Sequence, residues 1–484
     1  VGFDRSIEPH VIATGVKYGF KCTIKPNFSL STVSNLNGFR QDLESMRLQH
    51  TIGSLKHDLA LVRYINQVAK NKSMDAEQLL RCKWSDIAPA EDEPFWTPAL
   101  KEIVQMEIFD VAGVPAGREE SGVQESKEQI TDDMAPLPAP PPAASFNISK
   151  PLRPIEARFG LLQLLNKSLM QTISLVDLCM TDRPWSIAYL LATCRGLIFE
   201  CTKSPCWDEA MQETCSQSGG QFELRLSRSR AAKHIRTGVP DHDARFMVFS
   251  QAFRQMHTMP AASLRRADKL YNTVLMGERA QDAGGPYRES FAIYALELQS
   301  SALPLMIRTP NGRHAVGQNR EKWLLNPGST SSTHMEMFAF MGKLMGISMR
   351  TKEYLALSMP SLIWKLLVGD HPSREDLESI DLFCMQSLDS IRHIDLQGID
   401  SESFRTSFFE TFTTMSTDDR EVELRSGGAD IDVTFETRAE FCDLVENYRL
   451  HEFDAQAQAV RRGLATMVPI KLLSLFTWDQ LEMM

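Results

Sequence analysis

Residues 334–349 read HMEMFAFMGKLMGISM, a stretch whose apolar side chains cover nearly the whole circumference of a helix. A helix that is apolar all round is buried in the core of a large protein. Gly342 and Gly346 are four residues apart, so they lie on one face of this helix and leave room for a second helix to approach closely. The stretch therefore predicts a buried helix that packs tightly against another helix.

The segments on the N-terminal side of this stretch predict a strand, a turn and a helix. Residues 270–276, LYNTVLM, have the composition of a strand. Gly284 and Gly285 supply a turn, because glycine adopts positive φ without strain, and Pro286 suits the first turn of a helix. No Lys-Ser or Lys-Thr follows the two glycines, so the turn does not have the pattern of a phosphate-binding P-loop.

On the C-terminal side, helical patterns alternate with one predicted β-hairpin. Pro360 begins an amphipathic segment that ends at Gly369. Residues 422–424 and 431–435 alternate apolar and polar side chains on either side of a pair of glycines, which is typical of a hairpin. Further helical patterns follow the hairpin. We therefore predict an α+β fold that is mainly α-helical.

The chain has 484 residues, which is more than one ordinary core accommodates, and its composition changes along its length. Residues 113–149 are acidic and then proline-rich, so they predict a disordered linker, with a proline-rich docking ligand as the alternative to a spacer. We expect the tail of a β-sandwich-like domain at 1–31, a helical connector at 38–112, a helical region at 150–267 and a final domain at 268–484.

The overall composition excludes some classes of protein. The formal net charge of −10 argues against nucleic-acid binding by charge, because neutralising phosphates requires a basic face. Neither a membrane span nor a signal peptide is visible. Nine irregularly spaced cysteines indicate a reduced, intracellular setting, in the cytoplasm with the nucleus as an alternative, and not a secreted disulfide scaffold.

Two local patterns resemble binding sites, and for both we favour a structural interpretation. Cys201 and Cys206, with two further cysteines nearby, supply zinc ligands in type but not in finger spacing, so we expect neither a metal site nor a cofactor. A basic run could hold a phosphate, but its helical spacing favours a solvated face or local ion pairs; it comprises Arg225, Arg228, Arg230, Lys233 and Arg236.

The order of several short motifs between residues 270 and 482 is distinctive. The residues that carry them are Glu278, Asp282, Gly284, Gly285, Arg288, Glu289, Phe291, Phe340, Gly342, Leu344, Gly346, Lys365, Leu366, Leu367, Gly369, Leu424, Gly428, Val433, Thr434, Gly463, Leu464, Met467, Val468, Pro469, Leu475, Phe476, Leu481 and Glu482. In this order they resemble the N-lobe of HECT-type E3 ubiquitin ligases. The region upstream is similar to the very large, multidomain members of that family.

The resemblance implies a transfer in two steps, in which a conjugating enzyme passes ubiquitin to a ligase cysteine as a thioester and the ligase passes it to a substrate lysine. Residues 268–484 would form an incomplete N-lobe of a bilobal HECT domain with short β-hairpins, preceded by a helical scaffold. The family nucleophile lies in a C-lobe, expected beyond Met484, so no catalytic residue is expected in this chain. The implied partners are a conjugating enzyme, ubiquitin and protein substrates. A noncatalytic interaction scaffold with a HECT-like lobe is the alternative.

The resemblance also implies a docking groove for the conjugating enzyme in a small subdomain of the N-lobe. Val445 stands where an aromatic residue is common in the family. The alternative is that these apolar side chains only fill the core of the subdomain. The residues implied to bind the conjugating enzyme are Leu388, Ile391, Ile394, Phe441, Val445 and Tyr448.

Overall fold

The computed structural model describes residues 55–89, 154–170, 172–216, 221–278 and 284–484. The predicted β-domain tail at 1–31 and the predicted linker at 113–149 lie outside these residues, and both stay predictions. Contacts between residues divide the chain into two compact units, Val1–Asp208 and Glu209–Met484.

The described part of the first unit is helical, as the three- and four-residue spacing of its apolar residues predicts. Apolar residues of α4 at that spacing, among them Phe159 and Leu165, are buried. A buried ion pair joins α4 to α1, with Arg158 Nη2 2.6 Å from Asp58 Oδ2. The helices are α1 Leu55–Asn71, α2 Ala76–Arg81, α3 Trp84–Ile87, α4 Pro154–Met170, α5 Ile187–Thr193 and α6 Glu200–Glu213, with 3₁₀ turns at Ile173–Leu175, Leu178–Met180 and Arg195–Leu197.

The second unit combines helices with three two-stranded sheets, so the prediction of a mainly helical α+β fold is confirmed. Its elements are β1 Phe222–Leu226, α7 Arg228–Ile235, α8 Val248–Met256, α9 Ala261–Leu264, β2 Tyr271–Leu275, α10 Gly285–Leu298, β3 Met306–Arg308, α11 Pro310–His314, β4 Trp323–Leu325, α12 Ser332–Thr351, α13 Ser361–Val368, α14 Arg374–Ile380, α15 Leu382–Arg392, α16 Ser401–Ser407, β5 Thr413–Met415, β6 Glu421–Glu423, α17 Arg438–His451, α18 Asp454–Met467 and α19 Trp478–Met483. Single 3₁₀ turns occur at Ile394–Gln397, Gly428–Asp430 and Ile470–Leu475.

The predicted strand at 270–276 is confirmed as β2, but its partner was not predicted. β1 pairs with β2 in parallel, with Phe222 opposite Tyr271. The sequence analysis assigned residues 150–267 to helices, and it was wrong at β1 because Arg225 falls in a basic run at helical spacing. In the structure Arg225 lies on the strand and α7 begins only after it. The β1–β2 pair also joins residues on either side of the boundary expected at 268.

The stretch at 334–349 is confirmed as a buried helix. It lies within α12 and packs against α18 with their backbones in contact. A Cβ atom added to Gly342 would lie 1.9 Å from the carbonyl oxygen of Val460, and one added to Gly463 would lie 1.7 Å from that of Ala339. No side chain fits at either position. This crossing forms the centre of the second unit.

The turn before α10 and the end of α13 also agree with the sequence analysis. Gly284 has a φ of +107° and precedes α10, in which Pro286 occupies the first turn. Gly369 has a φ of +77° and ends α13. A residue with a side chain is strained at both positions, which is why glycine occupies them.

The predicted hairpin between 422–424 and 431–435 is wrong. β6 pairs in antiparallel fashion with the upstream strand β5, and residues Gly428–Asp430 form a 3₁₀ turn. Residues 431–433 contact the same upstream segment, because Phe412 N donates to Ile431 O at 3.1 Å and Val433 N donates to Glu410 O at 2.9 Å. The segment 410–415 therefore lies between the two runs that the sequence analysis paired with each other.

The described residues contain neither a helix suited to a membrane nor a metal-binding cluster. None of the described helices is long and apolar enough to cross a bilayer. In the same residues, no group of three or more His, Cys, Asp or Glu side chains is arranged to hold a metal ion. Cys201 and Cys206 both lie in α6 and form no disulfide.

Two carboxylates hold the N-terminus of α8. Asp241 accepts hydrogen bonds from three successive backbone N–H groups before the helix, at 2.7–3.0 Å. Glu297, which projects from α10, accepts from the backbone N–H groups of Val248 and Phe249 at 2.9 and 2.7 Å. The first turn of a helix has unpaired N–H groups, and these carboxylates satisfy them. The position of α8 is fixed in this way.

The burial of Glu297 gives the stability of this unit a pH dependence. Burial raises the pKa of Glu297 to about 7; its two backbone hydrogen bonds oppose this increase and the charge of Asp241 adds to it. The folded state therefore binds the proton more tightly than the unfolded state, in which the pKa is near 4.5. The contribution of Glu297 to stability is therefore fully present below about pH 4.5 and is lost as the pH rises through about 7.

We expect the wild-type chain to lose roughly 3 kcal/mol of unfolding free energy between about pH 4.5 and pH 7.5, relative to the variant Glu297→Gln. The glutamine has no carboxylate to titrate, so the difference between the two proteins isolates this group. Urea unfolding at several pH values in that window measures it. A difference that stays constant across the window would contradict the prediction.

Candidate functional site

The predicted docking residues all lie in one part of the second unit, the segment 374–451, which we call the small subdomain. It contains α14 to α17 and the β5–β6 pair. The N-terminus of α15 is fixed by Asp381, whose side chain accepts from Cys384 N at 3.1 Å, and that of α16 by Asp400, which accepts from Ser403 N at 2.9 Å. α15 and α17 pack against each other and carry the predicted residues.

Three of the six predicted docking residues are buried, and Phe441 packs edge-on against Phe412. Leu388, Phe441 and Val445 are 4%, 6% and 3% exposed. The Cys442 thiol donates to the carbonyl oxygen of Leu388 at 3.4 Å, so the two helices are in direct contact there. A partner protein has no access to these three side chains in this conformation. Their burial agrees with the alternative that they fill the core of the subdomain, and a docking role for them stays a prediction.

The other three predicted docking residues are half-buried. Ile391 and Ile394 lie at the end of α15 and the start of the following 3₁₀ turn. Tyr448 lies near Arg420 in the loop between β5 and β6. A docking role for these three residues stays a prediction.

Two other apolar side chains of the small subdomain are almost fully exposed. Leu396, in the 3₁₀ turn, is 81% exposed, and Phe409, which follows α16, is 79% exposed. The sequence analysis did not select either residue. The pair Phe408-Phe409 at the end of a short helix was the available signal, because adjacent side chains in extended backbone point to opposite faces.

A series of contacts connects the regions of these two exposed residues. Next to Leu396, Asp395 pairs with Arg438, with 3.0 Å between Oδ1 and Nη2. The Arg438 guanidinium lies 4.0 Å from the centroid of the Phe435 ring. Phe435 packs edge-on against Phe404, whose ring stacks on Phe408, the neighbour of Phe409. We call this region, from Leu396 through Phe435 to Phe409, the apolar surface.

A buried network of charged side chains, centred on Arg449, connects elements of the small subdomain. Arg449 Nη2 donates to Asp381 Oδ2 at 2.8 Å, and its Nε donates to Glu452 Oε1 at 2.8 Å. Nη2 also donates to the Thr417 hydroxyl at 3.0 Å. Burial alone would lower the pKa of Arg449, but the charges of Glu452 and Asp381 outweigh it and raise the pKa. One side chain thus links α15, α17 and the β5–β6 loop.

Three thiols of the chain are unsuited to nucleophilic chemistry. Burial raises the pKa values of Cys201, Cys384 and Cys442 to about 11 each. Arg449 lowers the pKa of Cys384, but by less than burial raises it. The thiolate is the reactive form, so these cysteines are protonated and unreactive at neutral pH.

Comparisons with known proteins match the C-terminal part of the chain to one family. The model of the HECT-domain (ubiquitin-transferase) family matches residues 295–484. The E3 ubiquitin-protein ligase HERC2 of Mus musculus is 36% identical over 298 residues, which are 60% of this chain and 6% of that protein. The probable E3 ubiquitin-protein ligase HECTD4 of Homo sapiens is 28% identical over 381 residues, 72% of this chain and 9% of that protein.

A third E3 ubiquitin-protein ligase also matches part of this chain. The E3 ubiquitin-protein ligase HUWE1 of Mus musculus is 26% identical over 261 residues, which are 54% of this chain and 6% of that protein. The chain therefore spans less than a tenth of the length of each of these three relatives.

Proposed function

Because this chain belongs to the HECT family of E3 ubiquitin ligases through residues 295–484, we propose that it takes part in the transfer of ubiquitin from a conjugating enzyme to protein substrates. In this reaction a ligase cysteine first accepts ubiquitin as a thioester and then passes it to a substrate lysine. The role of this chain is to dock the conjugating enzyme. We place the reaction in the cytoplasm, with the nucleus as an alternative site.

The observation that carries the docking role is the exposure of Leu396 and Phe409 on one small subdomain. Large apolar side chains that are this exposed and close to a packed aromatic layer favour a protein-binding surface. Leu388, Phe441 and Val445 are buried in the same subdomain and help to form its core. Ile391 and Ile394 are half-buried and precede Leu396 in the chain, so we include them in the proposed docking region.

We expect Leu396→Ala and Phe409→Ala each to weaken binding of the conjugating enzyme about tenfold, as the loss of an apolar interface anchor does. Both side chains are exposed, so the stability of the fold should not change. Titration calorimetry with a conjugating enzyme measures the affinity, and thermal unfolding checks the fold. Phe441→Ala is a poor test of docking, because it removes a core side chain.

Tyr354→Ala is the matched control, because Tyr354 is 82% exposed but lies outside the small subdomain. It should leave the affinity unchanged. In the same experiment, a conjugating enzyme charged with ubiquitin should bind the chain without forming a reducible ubiquitin adduct on it. Equal affinity for wild type and both variants would remove the apolar surface from the proposal, and a stable adduct on any cysteine of the chain would contradict the docking-only role.

A further inference from the structure

A cleft of about 420 Å³ lies beside β1, α7 and α8, outside the small subdomain. Its lining has four arginines and two glutamines but no carboxylate, although the chain as a whole carries a formal net charge of −10. The cleft is therefore a local basic site on an acidic protein. The lining residues are Arg225, Arg230, Arg245, Gln251, Arg254 and Gln255.

The two glutamines fix the floor of this cleft. They project from α8 one turn apart and occupy the free edge of β1. Arg225 N donates to Gln255 Oε1 at 3.1 Å, and Gln255 Nε2 donates to Arg225 O at 2.8 Å. Gln251 makes the same pair of bonds with Ser227, at 2.7 and 3.1 Å. The side chain of Gln255 thus satisfies the backbone N–H and C=O groups of Arg225, as a third strand would.

Two of the arginines keep an uncompensated charge. The guanidinium of Arg254 donates to two backbone carbonyls, Ala244 O at 2.5 Å and Asp243 O at 2.8 Å, which orient it without neutralising it. Arg230 lies over the ring of Phe246, with 5.3 Å from its Cζ to the ring centroid. Within the part of the chain that the structure describes, neither arginine has a carboxylate partner.

The other two arginines have only weak local partners. Arg225 pairs with Glu223 and Arg245 pairs with Asp243, both at 3.3 Å. The side chains of both pairs are more than half exposed, from 58% to 67%. Exposed ion pairs of this kind contribute little, so these arginines are available to a stronger anion.

Arg228 belongs to the same basic run but, unlike the arginines that line the cleft, it is paired with two carboxylates. Its guanidinium contacts the carboxylates of both Glu278 and Glu289. The sequence analysis favoured a solvated face or local ion pairs for the basic run. Arg228 forms such ion pairs, and Arg230 is exposed, as on a solvated face. Because Arg230 also lines the cleft, the phosphate alternative can be tested there.

We propose that this cleft binds a phosphate dianion carried as a phosphomonoester, on a phosphorylated peptide side chain or on a soluble phosphorylated compound. Planar guanidinium groups match the oxygens of phosphate in pairs, and several arginines around one cleft are suited to a doubly charged group. The site lies apart from the apolar surface, so it does not depend on the proposed docking of the conjugating enzyme.

The test uses the full chain and a fluorescein-labelled phosphoserine peptide with neutral flanking residues. Fluorescence anisotropy should show binding that inorganic phosphate displaces and that is absent for the serine form of the peptide. Arg225→Gln combined with Arg230→Gln should weaken the binding more than about tenfold, because both charge-assisted contacts are lost. Thermal unfolding confirms that the variant is folded.

Lys233→Gln combined with Arg236→Gln is the charge-matched control, because both residues are exposed on the same helical segment but do not line the cleft. This variant should retain at least about half of the affinity. Tighter binding of the peptide than of a polyphosphorylated inositol would assign the site to phosphorylated protein segments, and the reverse order would assign it to soluble compounds. Equal losses in the two double variants, equal binding of an aspartate peptide, or no binding of any phosphate form would overturn the proposal.

Discussion

Alanine at Gly342 or at Gly463 is expected to prevent the second unit from folding. Each added methyl group would meet a backbone carbonyl oxygen, at 1.9 Å from Val460 and at 1.7 Å from Ala339. A backbone atom has no rotamer to change, so α12 and α18 would have to separate along their whole contact. Overpacking usually costs about 1–3 kcal/mol, and we expect more than about 4 kcal/mol here, a large part of the stability of an ordinary domain.

Gly285→Ala is the matched control for this prediction. Gly285 is the first residue of α10, and among the described residues no atom outside its own helix backbone and chain neighbours lies within 4 Å of the position that its Cβ would occupy. The same chemical change should there be neutral or stabilise by up to about 1 kcal/mol. Urea unfolding followed by circular dichroism separates the outcomes. A Gly342→Ala protein with the unfolding midpoint of Gly285→Ala would show that the two helices do not make this backbone contact in solution.

Replacing Arg449 with methionine is expected to destabilise the small subdomain by about 3–5 kcal/mol, because breaking a buried ion pair leaves uncompensated charge behind. The carboxylates of Asp381 and Glu452 are 10% and 0% exposed, and both would lose their hydrogen-bonded cation. Urea unfolding measures the loss. Binding of the conjugating enzyme should weaken as well, since the network holds α15 and α17 behind the apolar surface.

Two further variants make this prediction specific. Arg449→Lys keeps the charge, but an ammonium group cannot reach Asp381, Glu452 and Thr417 together as the planar guanidinium does. Its loss of unfolding free energy should therefore lie between zero and that of Arg449→Met. Arg405→Met removes an exposed arginine from α16 in the same subdomain and should change the unfolding free energy by less than about 0.5 kcal/mol. If Arg449→Met were as stable as Arg405→Met, the network would be of no structural importance.

Local patterns in the sequence predicted the elements that depend on local chemistry. Apolar periodicity identified α12, and glycine and proline identified the turn before α10. β5 was missed because its threonines (residues 413 and 414) have no alternation in hydrophobicity, although β-branched side chains favour strands. The hairpin was assigned to the wrong partner because two runs that flank a glycine pair in sequence both contact a third segment, and sequence proximity does not reveal that arrangement.

The sequence determines the fold class better than the exposure of individual apolar residues, for a physical reason. A helix such as α17 can bury Phe441 against its neighbours or expose it to a partner, and its apolar spacing is the same in both cases. Only tertiary packing decides which residues are covered. The exposure of Leu396 is likewise a property of the folded unit, whereas for Phe409 the pair Phe408-Phe409 indicates that one of the two rings faces away from the core.

The backbone contact between α12 and α18 also has a mechanical consequence. Helices that meet through long side chains can slide past each other by exchanging rotamers, and many conformational changes use such small shifts. At Gly342 and Gly463 there are no side chains to exchange, so this means of adjustment is missing. We therefore expect the two helices to move as one rigid body, so that a rearrangement accompanying function takes place in the segments attached to it.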